Sequence, residues 1–274
     1  MNAKIQRIKA KYRYAAILLK QLVISDFKLR YKGSVLGYVW TLLRPLALFV
    51  ILYIIFARFL SVGEGIPHFP VYLLLGIVLW NYFVEVTTGG VQAIVGRGDI
   101  LRKLSFPRYV VVLSGSVSAL INLTLNLVVV GFFMIINDVP FRLNAALIVL
   151  PIVEMFVFAL AISFLLSALY VRFRDVGYIW EVVIQAAFYA TPILYPISKV
   201  LDYSELAGKL LILNPMAQII QDARSFLISD QTQTITTIYG SDIARAIPVA
   251  LVVIISIGSW NYFKRRAPYF AEEV

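Results

Sequence analysis

Five ionisable residues stand inside otherwise apolar stretches, and chemistry within a membrane would have to begin with them: Arg44, Arg58, Glu85, Glu154 and Glu181. A charge in hydrocarbon is costly and usually faces protein or a water-filled path. Arg44 and Arg58 lie near opposite ends of one stretch and Glu181 near the start of another, where snorkelling relieves them. Glu85 and Glu154 lie deeper, and each calls for a salt bridge or hydrogen bond from another span. They do not make the chain of groups a proton relay needs. Elsewhere the chemistry is sparse. His68 is the single histidine and cysteine is absent, so a metal site, a disulfide and a thiolate nucleophile are not expected. The acidic residues are too dispersed for a Ser–His–Asp set. No G-x-x-x-x-G-K string followed by Ser or Thr is present, so any ATP and its Mg are expected on a partner, with no cofactor bound by this chain.

The aromatic residues form two sets: Tyr38, Trp40, Phe49, Tyr53 and Phe56, then Tyr178, Trp180, Phe188, Tyr189 and Tyr195. Interfacial belts account for Tyr38, Trp40, Tyr178, Trp180 and Tyr195, which fall near the ends of apolar stretches. Tyr53 and Tyr189 fall deeper. A phenol at that depth wants a hydrogen-bond partner, and an aromatic face can stack on the C–H face of a sugar ring. A sugar-conducting path and ordinary core packing both satisfy these residues.

The elements that must position them are membrane spans. Of 274 residues, 61% are hydrophobic and 15% charged, against about 45–50% and about 25% in soluble domains. Residues 71–91, 109–136, 143–170 and 248–263 are apolar blocks that approach or exceed the ~20 residues a spanning helix needs. Residues 37–60 and 176–195 are long enough but interrupted by proline or charge. The expectation is an all-α integral membrane protein of six spans. The net charge of +10 could suggest nucleic acid, but the basic residues cluster between spans. Nine lie in 1–37, four around 97–108, two at Arg172 and Arg174 and three at 264–266, eighteen of the 25 Lys and Arg. These segments share one side if the spans alternate. The positive-inside rule places that side, and both termini, in the cytoplasm. The basic, mixed segment before the first apolar run is unlike a cleavable signal, so the first span is expected to anchor the chain.

Three segments between or before the spans carry patterns of their own. Residues 17–32 read as a helix with Gln21, Ser25, Lys28 and Lys32 on one polar stripe, suited to lying in the membrane surface. Lys28, Arg30, Lys32 and Arg44 are the candidates for lipid headgroups or phosphate. Residues 99–104 read as a short amphipathic helix capped by Asp99 and ended by Pro107. Residues 195–247 alternate apolar stretches with prolines, as short helices dipping into the outer leaflet would. A single membrane domain over 1–274 accommodates all of this.

Five strings resemble the ABC-2 type polysaccharide-export permeases, the membrane subunits of O-antigen and teichoic-acid transporters. They are SDFKLRYKGSVLGYVWTLLRP (25–45), ILRKLSFPR (100–108), RFRDVGYIWE (172–181), TPILYP (191–196) and LNPMAQII (213–220). The resemblance implies a homodimer bound to two cytoplasmic ABC ATPase subunits in a bacterial inner membrane, exporting a lipid-linked glycan and not itself an enzyme. It implies an interface helix at 17–32, a coupling helix at 99–104 with Asp99, Ile100, Leu101, Arg102 and Lys103, and a second ATPase contact at Arg172, Arg174 and Asp175. It also implies outer gate helices at 196–225 and a path lined by the first and fifth spans, which favours Tyr53, Phe56, Phe188 and Tyr189. Arg102, Lys103, Arg172 and Arg174 suit either the diphosphate of a lipid carrier or, in preference, pairing with the ATPase. Where the family often carries asparagine before the proline of the first span, this chain carries Arg44. Two other functions stand beside this one: an ABC-2 permease for another lipid or small molecule, and a membrane-embedded glycosyl- or acyltransferase.

Overall fold

The computed structural model describes residues 2–30, 36–99 and 106–273, and among these every regular element is helical. Helix α1 (Asn2–Arg30) begins well before the expected residue 17. Nothing from Asn2 to Arg30 is glycine or proline, so no breaker stops the helix earlier. Its Leu18 packs on a cluster that includes Ile94, Phe106, Val111, Phe164 and Phe263. Gln21, Ser25 and Lys28 are exposed, together with Tyr14, Ile17 and Ile24. Basic and apolar side chains on one free face suit a membrane surface.

A 3-10 turn (Gly37–Val39) leads into α2 (Trp40–Tyr53), which continues as a π-helical turn over Ile54–Phe59. Pro45 lies inside α2 and has no N–H to give the Thr41 carbonyl four residues back. Asn126 Nδ2 donates to that carbonyl at 3.3 Å. Next come α3 (Phe69–Gln92), α4 (Tyr109–Ile136), a 3-10 segment (Leu143–Ile148) and α5 (Val149–Arg172). Then follow α6 (Val176–Ala190), α7 (Ile197–Tyr203), α8 (Glu205–Ile212) and α9 (Pro215–Leu227). The chain closes with α10 (Ile235–Tyr239), α11 (Ala246–Arg266) and α12 (Phe270–Glu273).

Helix α3 is the axis of the bundle. It packs chiefly on α4 and α5, and also touches α2, α6 and α9, while α11 lies on α5 and α1 on α4. Small residues permit the closest approach, as expected where lipid removes the hydrophobic drive between helices. A Cβ at Gly90 would sit 2.4 Å from Ser163 Oγ, and that hydroxyl donates to the Val86 carbonyl at 2.7 Å.

Among the described residues, five helices are long and apolar enough to cross a membrane: Trp40–Phe59, Phe69–Gln92, Tyr109–Ile136, Leu143–Arg172 and Asp242–Tyr269. The chain is a multi-pass membrane protein. The expected span at 176–195 differs, because its helix stops at Ala190 after 15 residues, about 22 Å at 1.5 Å per residue against a hydrocarbon core of about 30 Å. Thr191 is extended, as a residue before proline prefers to be, and Pro192 follows. Tyr195 therefore lies beyond the helix.

Candidate functional site

Each deep carboxylate has an amide partner from another helix, although Glu154 Oε1 is buried without one. Glu85 on α3 accepts from Asn122 Nδ2 on α4 at 2.8 Å. Glu154 on α5 accepts from Gln218 Nε2 at 3.3 Å, and Gln218 belongs to α9, which is not one of the spans. Gln218 also donates to Asp222, which pairs with Arg245. Burial pushes the Asp222 carboxyl up from its ordinary value, against the pull of Arg245.

The aromatic candidates divide by the face they occupy. Phe49 is buried and packs on Tyr53 and Phe133, with ring centroids 5.7 and 5.4 Å away, so it belongs to the protomer core. Tyr53 and Phe56 are half-buried against that core. Trp180 Nε1 donates to Thr87 Oγ1 at 3.3 Å, and Phe188 lies 5.9 Å from Trp80, so both hold α6 to α3. Tyr178 and Tyr189 project outward at 74% and 69% exposure, and Trp40 is also exposed. Tyr195 donates its hydroxyl to the Tyr189 carbonyl at 2.9 Å, which pins the turn after α6. Of Tyr38 and Arg30 only the backbone is described.

At the opposite end, an ion pair joins three elements. Arg97, just after α3, pairs with Asp26 of α1 and donates to Ser114 Oγ of α4 at 3.0 Å. The segment entering the expected coupling helix is thus tied to α1. Asp99 ends this described stretch, exposed. Ile100, Leu101, Arg102 and Lys103 lie outside the described residues, as does Lys32. Arg172 at the end of α5 and Arg174 and Asp175 before α6 are exposed, with the guanidinium groups over the rings of Phe173 and Tyr170. Lys28 and Arg44 are exposed as well.

The residue that sequence reasoning missed is Arg224. It is fully buried, its guanidinium 3.5 Å above the Tyr72 ring. Nε donates to the Tyr72 carbonyl at 3.1 Å, Nη1 to the Pro192 carbonyl at 2.7 Å and Nη2 to the Ile193 carbonyl at 2.8 Å. The rigid fork of donors joins α3, the TPILYP turn and α9. Gly76 makes room for it, since a Cβ there would sit 2.5 Å from Nη2. The LNP string belongs to the same joint: Asn214 caps α9 through its Oδ1 and donates from Nδ2 to Thr191 Oγ1 at 3.3 Å. A lone arginine in an apolar-polar alternation gave no periodic signal. Its pairing with turn carbonyls 31 and 32 positions away is visible only in three dimensions.

A family model described as ABC-2 type transporter matches residues 17–227. The chain belongs to the ABC-2 type transporter family. Among the relatives of this ABC-2 chain is an O-antigen export system permease protein RfbA of Myxococcus xanthus, 30% identical over 98% of this chain and 100% of the relative. Another of the same name, from Klebsiella pneumoniae, is 29% identical over 81% of this chain and 85% of its own length. The family match takes in residues 17–30 of α1, the Asp26–Arg97 joint, the TPILYP turn and Arg224.

Proposed function

We propose that this chain is the transmembrane permease subunit of an ATP-driven ABC exporter that moves a lipid-linked polysaccharide, O-antigen or a teichoic acid-like polymer, outward across the inner membrane. The observation that carries the reading is the end-to-end match to a permease named for O-antigen export. The chain acts as a homodimer with two ATPase subunits, and those subunits hydrolyse the ATP. Helix α6 and the Thr191–Pro196 turn together form a sixth traverse, both termini face the cytoplasm, and α7–α9 form the outer gate. The outward aromatic faces of α2 and α6 line the path with the partner copy. The segment from Asp99 passes force from the ATPase through the Asp26–Arg97 pair to α1 and α4, and Arg172 and Arg174 make the second contact.

Support for the division of labour comes from exposure. Helices α2 and α6 are apolar yet lie on the outside of the protomer, with Ile51, Ile54, Tyr178, Val182 and Tyr189 uncovered. The test is co-purification with a separate ABC ATPase and reconstituted export. ATP-dependent movement of a lipid-linked glycan is expected. Transport without nucleotide, or turnover of a lipid-linked donor by the purified chain, would sink the proposal. Transport of other lipids with the glycan left behind would move the chain to a different ABC-2 substrate class.

A further inference from the structure

We propose that each protomer carries its own binding site for a phosphate-linked sugar, in the polar cavity between α2, α3 and α4. The proposal rests on the exporter reading and adds a place, apart from the α2 and α6 path, where the lipid-proximal end of the glycan is held. The cavity measures about 510 Å³, within the roughly 300–1,000 Å³ usual for small-ligand sites. Arg44 and Trp40 form its α2 wall, Asn81 and Glu85 part of its α3 wall, and Asn122 and Asn126 its α4 wall. Such a concentration of amides and charge among spans marks a polar path or site, its groups paired with one another or meeting water or a polar ligand.

Two atoms show that the lining is incomplete by itself. Tyr82 Oη and Asn122 Oδ1 are buried without a hydrogen-bond partner, in residues only 2% and 4% exposed that line this cavity. Asn122 Nδ2 is already engaged by Glu85, and Asn126 Nδ2 by the Thr41 and Asn122 carbonyls. Leaving buried polar atoms unmet is costly, so the site favours a ligand rich in hydroxyls. A carboxylate beside amides offers acceptors and donors to neighbouring hydroxyl groups, and the Trp40 indole offers a face for C–H bonds. The Arg44 guanidinium suits a phosphate at the mouth. An apolar molecule leaves this lining unmet, and a bare anion would face Glu85.

A second cavity, of about 590 Å³, shares Glu85, Thr88 and Gly89 with the first and reaches the Asp26 and Arg97 pair. Ser118 on its wall has another buried, unpartnered oxygen. The site therefore adjoins, across Glu85, Thr88 and Gly89, a cavity that reaches the joint the ATPase is proposed to move. Gly89 stands at the junction, with nothing within 4 Å of an added Cβ.

The same chemistry occurs in a hydroxyl-bearing phospholipid headgroup, and the experiment separates the two sources. Full-length protein in phosphatidylcholine nanodiscs is titrated with farnesyl diphosphate carrying one N-acetylglucosamine, with bare farnesyl diphosphate and with phosphatidylglycerol. The sugar-bearing probe is expected to bind saturably and about tenfold more tightly than either other probe, the worth of one or two hydrogen bonds. Asn81→Ala should weaken the sugar-bearing probe about tenfold and leave the bare diphosphate unchanged, while Arg44→Ala should weaken both by about 10–100-fold. Gly89→Leu places its side chain in open space, so it should block binding without lowering the melting temperature. Phosphatidylglycerol binding as tightly as the sugar-bearing probe would assign the cavity to bulk lipid and overturn the proposal. Absence of saturable binding would overturn it too, as would binding indifferent to Asn81→Ala and Gly89→Leu. Export is measured in parallel: glycan export without cavity binding removes the site and leaves the exporter, whereas no export by the unaltered complex removes the exporter reading itself.

Discussion

Helix α3 and the span Trp40–Phe59 that α2 opens are both apolar, yet 78% of the most apolar stretch of α3 is buried within the protomer and 11% of that of Trp40–Phe59. Hydropathy runs the other way, for α3 has the lowest mean hydropathy of the five spanning helices. In lipid, apolar surface gains nothing by leaving one hydrocarbon for another, so packing detail and hydrogen bonds choose the central helix. Helix α3 has those: Gly76 admits Arg224, Gly90 admits Ser163, Thr87 meets Trp180 and Glu85 meets Asn122. Helix α2 offers Ile51, Ile54 and Phe59 to its surroundings instead. The buried span is structural scaffold, and the exposed one is free to meet lipid, a second copy or cargo.

The strongest way to break this contrast is at Arg224. Arg224→Ala leaves three backbone carbonyls without their donor and opens a cavity, with an expected loss of about 3–5 kcal/mol, and Arg224→Lys should rescue little because it lacks the fork. Thermal unfolding in detergent, followed by the recovery of monodisperse protein, checks both variants. Next come the close approaches on α3. Gly90→Val drives a side chain into Ser163 and should cost about 1–3 kcal/mol, whereas Gly89→Ala, one residue away in open space, should be neutral or stabilise by up to about 1 kcal/mol. Equal melting temperatures for the two would contradict the packing described for α3.

Smaller effects on stability are expected where function is proposed. The Asp26–Arg97 pair is partly exposed, so Asp26→Asn should cost under about 1 kcal/mol. It should nonetheless lower glycan export per ATP hydrolysed, measured in proteoliposomes with the ATPase present. Unchanged coupling would separate α1 from force transmission. Least of all should Tyr189→Ala alter the melting temperature, since its ring is outward on α6. Paired with Tyr53→Ala it should slow export, and undiminished export with an intact fold would remove sugar stacking from the path.

Much of the helical plan was legible because spans advertise themselves by length and apolar composition, without reference to their neighbours. The stretch 109–136 coincides with α4, whose boundaries are set by Pro107 before it and Asn137 after it. Boundaries depending on a single breaker were harder. The expected span at 176–195 loses its end at Thr191, where the preference of a pre-proline residue overrides the apolar run. Likewise, the stripe of Gln21, Ser25 and Lys28 marked a helix, but residues 2–16 carry no such pattern and extend it all the same. Of the aromatic candidates, depth could be read along the chain but orientation could not, and Phe49 and Tyr189 end on opposite sides of that divide.

The sequence by itself determined a basic, multi-pass, all-helical protein with its unusual charges at Arg44, Glu85 and Glu154, because hydropathy and charge act locally along each span. Only the tertiary structure decided which span became the axis and what met those charges. Asn122 reaches Glu85 across 37 residues, and Arg224 reaches the Tyr72 carbonyl across 152. Contacts of that kind arise from helices choosing neighbours by fit and hydrogen bonding, and in a uniformly apolar solvent no one-dimensional pattern records the choice.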